Sequence, residues 1–371
     1  MNYITIIITV MVLFVLITEF ILEILNAKSE NTLSGGFVSA GIGLVLSSFP
    51  STLDNLMNLF GKSLGEQWST ETVNIWSLII GIMFIALGIF LLFYIKDRIF
   101  ILNMFGLFAQ FEISEEQNIR DLKLSDFKVK ELIIDFVDEF NREIKNNTIS
   151  DELNNIIVNK VKNECLKFKN RSKDFKSCFT GMAPIPYTIL AGTYLADSKL
   201  ERYFEYERSK NRYYELKEKD RKDNYESLLV DYPQIPKLDS QDVLVAISVT
   251  RRINKNQMKD FGNMDVVEIY LPHPDDNIIR SKKQLNEYKK QIICSLEDIG
   301  VKYGALNRIH LISSIPSCMS VEIGKAIALN NNRLKKVIAY HYIAQGNKNY
   351  PFGIILTQNT LNNEYGKLVK N

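Results

Sequence analysis

Two uncharged apolar runs near the start of the chain constrain it more than any other feature. From Met1 to Thr18 no side chain is charged, and most are Ile, Val, Leu, Phe or Met. Extended to Leu25, such a helix rises ~1.5 Å per residue and spans a hydrocarbon core ~30 Å thick. No basic segment precedes it and no clean small-x-small cleavage site follows, so it reads as an uncleaved helix rather than a signal peptide. The second run, Thr72 to Ile95, is equally uncharged, with Trp76 near one end and Tyr94 near the other, where amphipathic rings favour the headgroup level. The expectation is a transmembrane module over residues 1–98 with helices at about 3–25 and 73–95. Lys96 and Arg98 follow the second run directly. The positive-inside rule then places the rest of the chain in the cytoplasm of a bacterial inner membrane.

Within this module, Glu19 and Glu23 share one helix face, and ionisable groups in a span are pore candidates unless they lie in the headgroup region. Gly81 and Gly88 are a second, weaker pair, suited to helix–helix contact. The stretch 34–50 is apolar but rich in Gly and Ser. It fits a re-entrant segment or a compact loop equally well.

Charge separates this quarter from the remainder. Residues 1–95 carry two basic and six acidic side chains, whereas 96–371 carry 43 and 37. Over all 371 residues, 46% hydrophobic and 24% charged content excludes a disordered or fibrous chain. The four cysteines, Cys165, Cys178, Cys294 and Cys318, have neither CxxC nor Cys/His spacing, which fits a reducing compartment with no disulfide framework and no zinc site.

Residues 99–124 read as a linker, and Phe127–Ile144 and Ile149–Phe168 as mainly helical, with FKVKELII also acceptable as a strand. SCFTGMAPIP, a helix through YTILAGTYLA and a strand at RYFEYE complete a first lobe of about 125–230, before a charged connector over 208–240. The second lobe, about 240–371, is clearer. DVLVAISVT and VVEIYLP are β-branched runs typical of buried parallel strands. Ser281–Ile299 is amphipathic, with Gly300 expected as its C′ residue. RIHLIS, a helix from Pro316–Ser317, VIAYHY and GIILT follow. This alternation is that of Rossmann-like α/β lobes. An internal repeat is also visible: Pro184 and Gly192 have the spacing of Pro316 and Gly324. Each pair follows a short strand and precedes an aromatic one, around Tyr206 and Tyr340.

The segments FTGMAPIPYTILAGTYL, DVLVAISVTRR and IHLISSIPSCMSVEIGKAI, ending in YPFGIIL, resemble the SAVED domain, a fusion of two CARF-like Rossmann lobes. The resemblance covers about 120–371. It implies an antiphage protein of the CBASS type that senses a cyclic di- or trinucleotide made by a CD-NTase. With the apolar runs it implies a membrane-anchored α/β effector of two transmembrane helices and a SAVED domain, which self-associates on ligand binding and breaches the bilayer. Three places suit the ligand, because helix N-termini beyond strand ends favour phosphate. They are Thr180, Gly181, Pro184 and Pro186; Thr250, Arg251 and Arg252; and Ser313, Ser314, Pro316 and Ser317. The two arginines suit phosphate oxygens, and Tyr187, Tyr342 and Tyr350 suit base stacking. Each also has a plainer reading as a helix start or as packing.

No HExxH, GxSxG or Walker pattern is present. His310 and His341 fall on strands, and His273, Asp275 and Asp276 lie in a Pro- and Asp-rich turn that explains them without a metal. The expectation is therefore no catalysis, no cofactor, no metal and no DNA or RNA polymer as partner. The alternatives are a tethered CARF-type enzyme that degrades its ligand, or an anchored sensor that signals to another protein.

Overall fold

The computed structural model describes residues 30–47, 75–94, 97–107, 112–144, 149–173, 175–219, 225–344, 346–357 and 364–371. The chain divides into two compact units, Met1–Asp97 and Arg98–Asn371.

The first unit pairs two helices, α1 (Glu30–Ser47) and α2 (Ile75–Tyr94). Residues 34–47 of the Gly- and Ser-rich stretch are thus the body of a helix, and 48–50 lie outside the described residues. Its small residues let the backbones approach: a Cβ on Gly41 would lie 2.7 Å from Gly81 O, and one on Gly81 2.8 Å from Val45 N. Phe37 and Phe84 meet edge to face. Among the described residues no helix is long and apolar enough to cross a membrane. That finding overturns the membrane-anchored fold and the inner-membrane location, and it lends no support to the bilayer as a partner. The physical reason lies in how the apolar run is used. Gly81, Leu87 and Gly88 are buried, and the α2 face with Gly81 packs against another helix, so hydrophobicity alone did not imply lipid. The expected helix at 3–25, with Glu19 and Glu23, lies outside the described residues.

The second unit holds two sheets. The first has the order β2-β1-β3-β4-β5, from β1 (Asp97–Phe105), β2 (Phe127–Asp135), β3 (Lys176–Met182), β4 (Arg202–Glu207) and β5 (Arg212–Glu215). The second has the order β12-β11-β10-β9-β7-β8-β6. Its strands are β6 (Leu229–Asp231), β7 (Asp242–Ser248), β8 (Asp265–Tyr270), β9 (Arg308–Ser314), β10 (Lys336–His341), β11 (Phe352–Ile355) and β12 (Leu368–Lys370). The helices are α3 (Glu116–Asp121), α4 (Val137–Ile144), α5 (Asp151–Arg171), α6 (Ile185–Leu195), α7 (Lys282–Lys302) and α8 (Ser317–Leu329).

The stretch read as a linker supplies β1, which pairs in parallel with β3 from Ile99–Lys176 to Phe105–Met182. Ile99 and Ile101 are buried on one sheet face and Phe100, Leu102 and Met104 on the other. From Ile99 to Phe105 this strand is apolar on both faces except at Asn103, so it shows no two-residue alternation. FKVKELIID is a strand, as its half-buried alternation allows. Gly300 is an internal residue of α7, which runs to Lys302 and is capped at its start by Ser281 Oγ accepting from Gln284 N at 3.2 Å.

The two sheets repeat one topology. β1 and β7 each lie between the next strand in sequence and the one after, so each lobe has a switch point where crossovers diverge. The repeat extends to single bonds. Gly106 N and Leu107 N donate to Met182 O, and Val249 N and Thr250 N donate to Ser314 O. Thr188 Oγ1 donates to Pro184 O at 3.3 Å, and Ser320 Oγ to Pro316 O at 3.0 Å. The lobes join where α6 crosses α8 at the two repeat glycines. A Cβ on Gly192 would lie 2.1 Å from Val321 O, and one on Gly324 1.9 Å from Ile189 O. One hydrophobic core runs through this crossing, from Phe100 and Phe168 in the first lobe to Leu296 and Ile327 in the second.

Candidate ligand cavity

The carboxyl ends of the parallel strands of both sheets open on a single cavity of about 560 Å³. From the first lobe come Leu107 after β1, Gly181–Ile185 at the β3–α6 turn, and Glu205 and Tyr206 near the end of β4. From the second come Thr250–Ile253 after β7, Ser313–Ser317 at the β9–α8 turn, and Tyr340–Tyr342 at the end of β10. The sequence places Gly181, Pro184, Thr250, Arg251, Arg252, Ser313, Ser314, Pro316, Ser317, Tyr342 and Tyr350 are thus brought together on its wall.

Three of the residues singled out in the sequence are not on that wall. Thr180 is buried in β3, and Pro186 is buried in the first turn of α6. Tyr187 is fully buried among Phe136 and Phe140, and its hydroxyl donates to Asn154 Oδ1 at 3.0 Å. It is a core tyrosine with a satisfied polar end, not a stacking platform.

The two arginines differ. Arg251 forms a forked pair with Asp276, Nε to Oδ1 at 3.1 Å and Nη2 to Oδ2 at 2.9 Å, with its side chain 73% exposed. An exposed pair of this kind is weak and easily exchanged for another anion. Arg252 lies 3.4 Å over the Tyr270 ring and donates to Glu268 at 2.6 Å, so stacking and charge both hold it at the rim. Arg208, absent from the sequence reading, is a third guanidinium on the wall. Arg251, then burial in opposition, and also Arg208, act on the Asp276 carboxyl, and the net effect holds it below the usual range.

The polar floor is more specific. Thr250 Oγ1 and Ser314 Oγ are 2.8 Å apart. Ser317 Oγ is buried with no hydrogen-bond partner among the described residues. Glu205, which sequence reasoning missed, reaches from the first lobe to the start of α8, where it accepts from Cys318 N. Burial pushes its carboxyl up, with the Cys318 and Ser317 donors opposing. The sequence offered no signal for this contact, because Glu205 and Cys318 meet only through the lobe crossing. His341, also on the wall, is buried beside Phe140 and Phe352, and desolvation lowers its imidazole to about 4.

Among the described residues no group of His, Cys, Asp and Glu is arranged to hold a metal ion. His273 Nδ1 lies 2.6 Å from Glu226 Oε1, while Asp276 serves Arg251. What the cavity can do is recognise a polar ligand with both anionic and flat apolar parts, because guanidinium groups, tyrosine rings and hydroxyls share its wall.

Residues 161–356 match the SAVED family, described as the SMODS-associated and fused to various effectors sensor domain. No curated protein matches the chain. Among solved structures, the chain is similar to the Acinetobacter baumannii Cap4 SAVED/CARF-domain containing receptor with the cyclic trinucleotide 2'3'3'-cAAA. The identity is 16% and the TM-score 0.46, over 76% of this chain and 57% of that one. The same receptor with 3'3'3'-cAAA gives 14% and 0.46 over the same shares. A further structure of the receptor gives 15% and 0.43 over 76% and 56%. The chain therefore spans less than two thirds of that receptor's length.

Proposed function

Because the chain belongs to the SAVED family of sensor domains, we propose that it senses a cyclic oligonucleotide in antiphage defence of the CBASS type and holds it in the cavity shared by its two lobes. One observation carries this reading: the carboxyl ends of two like-wound sheets, each with its own switch point, converge on the same 560 Å³ space. Ligands of open α/β sheets bind at such ends. Two converging sites suit a ligand that repeats its own chemistry around a ring. Arg251 and Arg208 offer forked contacts to phosphate oxygens, and Tyr342, 40% exposed, offers a face to a base. The chain acts by binding, and the effect of binding passes through its fold rather than through a chemical step.

The test is calorimetric titration of the full chain with a panel of cyclic di- and trinucleotides. Saturable binding of at least one ring is expected. Absence of heat with every member removes the sensor reading.

A further inference from the structure

The start of α8 faces the cavity, and a free helix N-terminus would be the ready seat for a ligand phosphate. It is not free. Glu205 accepts from Cys318 N there, is only 9% exposed, and lines the cavity. No lysine or arginine pairs with it among the described residues. The matching end of α6 is poor in donors for a different reason, since Pro184 and Pro186 carry no N–H. The α8 end is therefore taken by a carboxylate, and the α6 end offers few donors to a phosphate. The cations stand elsewhere, at Arg251, Arg252 and Arg208.

The fold does not require a carboxylate at this place. β4 packs on α8 as β10 packs on α6. With Tyr206 and Tyr340 equivalent, the counterpart of Glu205 is Ala339. A buried carboxylate set on only one side of a duplicated cavity is an acceptor aimed at something that donates. Ser317 Oγ, buried and unpartnered beside it, adds a second polar atom at the same spot.

Resting on the sensor reading above, we infer that Glu205 is a specificity-determining residue: it accepts a hydrogen bond from the exocyclic amino group of a ligand base, while the phosphates face the arginines. One carboxylate oxygen serves the α8 backbone and the other serves the base. A uracil, with oxygens where adenine and cytosine carry amino groups, would set acceptor against acceptor at a buried site. Unpaired buried polar groups of that kind are the strongest source of discrimination between ligands of similar shape.

The experiment titrates the full chain with cyclic triadenylate, cyclic tri-inosinate and cyclic triuridylate. Inosine replaces the adenine amino group by oxygen. The wild-type chain is expected to bind the triadenylate at least about tenfold more tightly than either other ring, the loss of one charge-assisted hydrogen bond. In Glu205→Gln the amide oxygen still accepts from Cys318 N, so the melting temperature is expected to hold. The amide then offers a donor as well, and the preference should shrink to within about threefold. Equal affinity of the wild-type chain for all three rings overturns the inference and leaves the sensor reading intact, as does an unchanged preference in Glu205→Gln. If none of these rings binds while another cyclic oligonucleotide does, the inference falls unless that ring carries an amino-bearing base and loses at least about tenfold in affinity when the amino group is replaced by oxygen. Absence of binding by every cyclic oligonucleotide removes both.

Discussion

Replacing Gly324 by Ala probes the join between the lobes. In an ordinary helix the change is favourable by roughly 1 kcal/mol, because alanine restricts the unfolded chain more than glycine does. Here the added Cβ would lie 1.9 Å from Ile189 O and 3.0 Å from Gly192 Cα, where real Cβ atoms essentially never come within 3.0 Å. Those neighbours are backbone, so no rotamer change relieves the overlap. α6 and α8 must part by ~1 Å along a line of close-packed side chains. Overpacking of this kind typically costs about 1–3 kcal/mol and sometimes more. Set against the helix gain, the net expectation is a loss of up to ~2 kcal/mol, or as much as about 4–8 °C in Tm for a domain of this size. Gly192→Ala should act alike, and the double variant should lose less than the sum, because one separation accommodates both. Gly300→Ala is the control. Its Cβ would meet only the Lys335 side chain, Cγ at 3.5 Å and Cε at 3.9 Å, which are ordinary contacts, so it should raise stability by up to ~1 kcal/mol. The assay is chemical and thermal unfolding followed by circular dichroism. A Gly324→Ala chain that melts at or above the wild type would refute the close crossing and the account of why the repeat keeps glycine there.

Three further outcomes follow from the same geometry. Glu322, 3% exposed, accepts from Tyr203 OH at 2.6 Å and pairs with Lys289 and Lys325 at 2.6 and 2.7 Å, tying α8 to α7 and to the first lobe. Burial raises its carboxyl, but Lys325 and Lys289 outweigh it and hold it below the usual range, so its contribution is present above the ordinary carboxylate pKa and fades as pH falls below it. Glu322→Gln should lower the denaturant midpoint by the equivalent of about 3 kcal/mol near neutral pH, and a change under ~0.5 kcal/mol would contradict the role. His341 is buried neutral with its imidazole lowered to about 4. The unfolded chain therefore binds a proton first as pH falls from ~6.5, and stability should drop by about 2 kcal/mol between pH 8 and pH 5 from this group. His341→Gln should show that much less acid sensitivity in paired urea titrations, and an unchanged pH slope would speak against it. Arg251→Glu should weaken ring binding by about tenfold or more in calorimetry with little effect on Tm, since its pair with Asp276 is exposed; wild-type affinity would place the phosphates elsewhere on the wall.

The sequence reading succeeded where the signal was local. The β-branched run Asp242–Ser248 and the apolar spacing of α7 depend on neighbours within a few residues, and both stand as strand and helix. The Pro–Gly pairs marked the duplication because each glycine answers the other across a backbone contact. Errors arose where one signal had two physical uses. An apolar run can serve lipid or another helix, and α2 packs on α1. β1 is buried on both faces, so it shows no alternation, and the charged residues 96–98 before it look like the flank of the apolar run. Tyr187 looked available for stacking because its partner, Asn154, lies on a different helix. Glu205 was invisible for the same reason: its acceptor role exists only once β4 of one lobe meets α8 of the other.

The most direct test of the central claim, one ligand held by both lobes at once, is hydrogen exchange on the full chain with and without a bound cyclic oligonucleotide. The account predicts slowed exchange in two segments of the first lobe, around Gly181–Thr188 and Glu205–Ser209, together with two of the second, around Thr250–Gln257 and Ser313–Ser320. Protection confined to one lobe, or appearing only away from these strand ends, would contradict it.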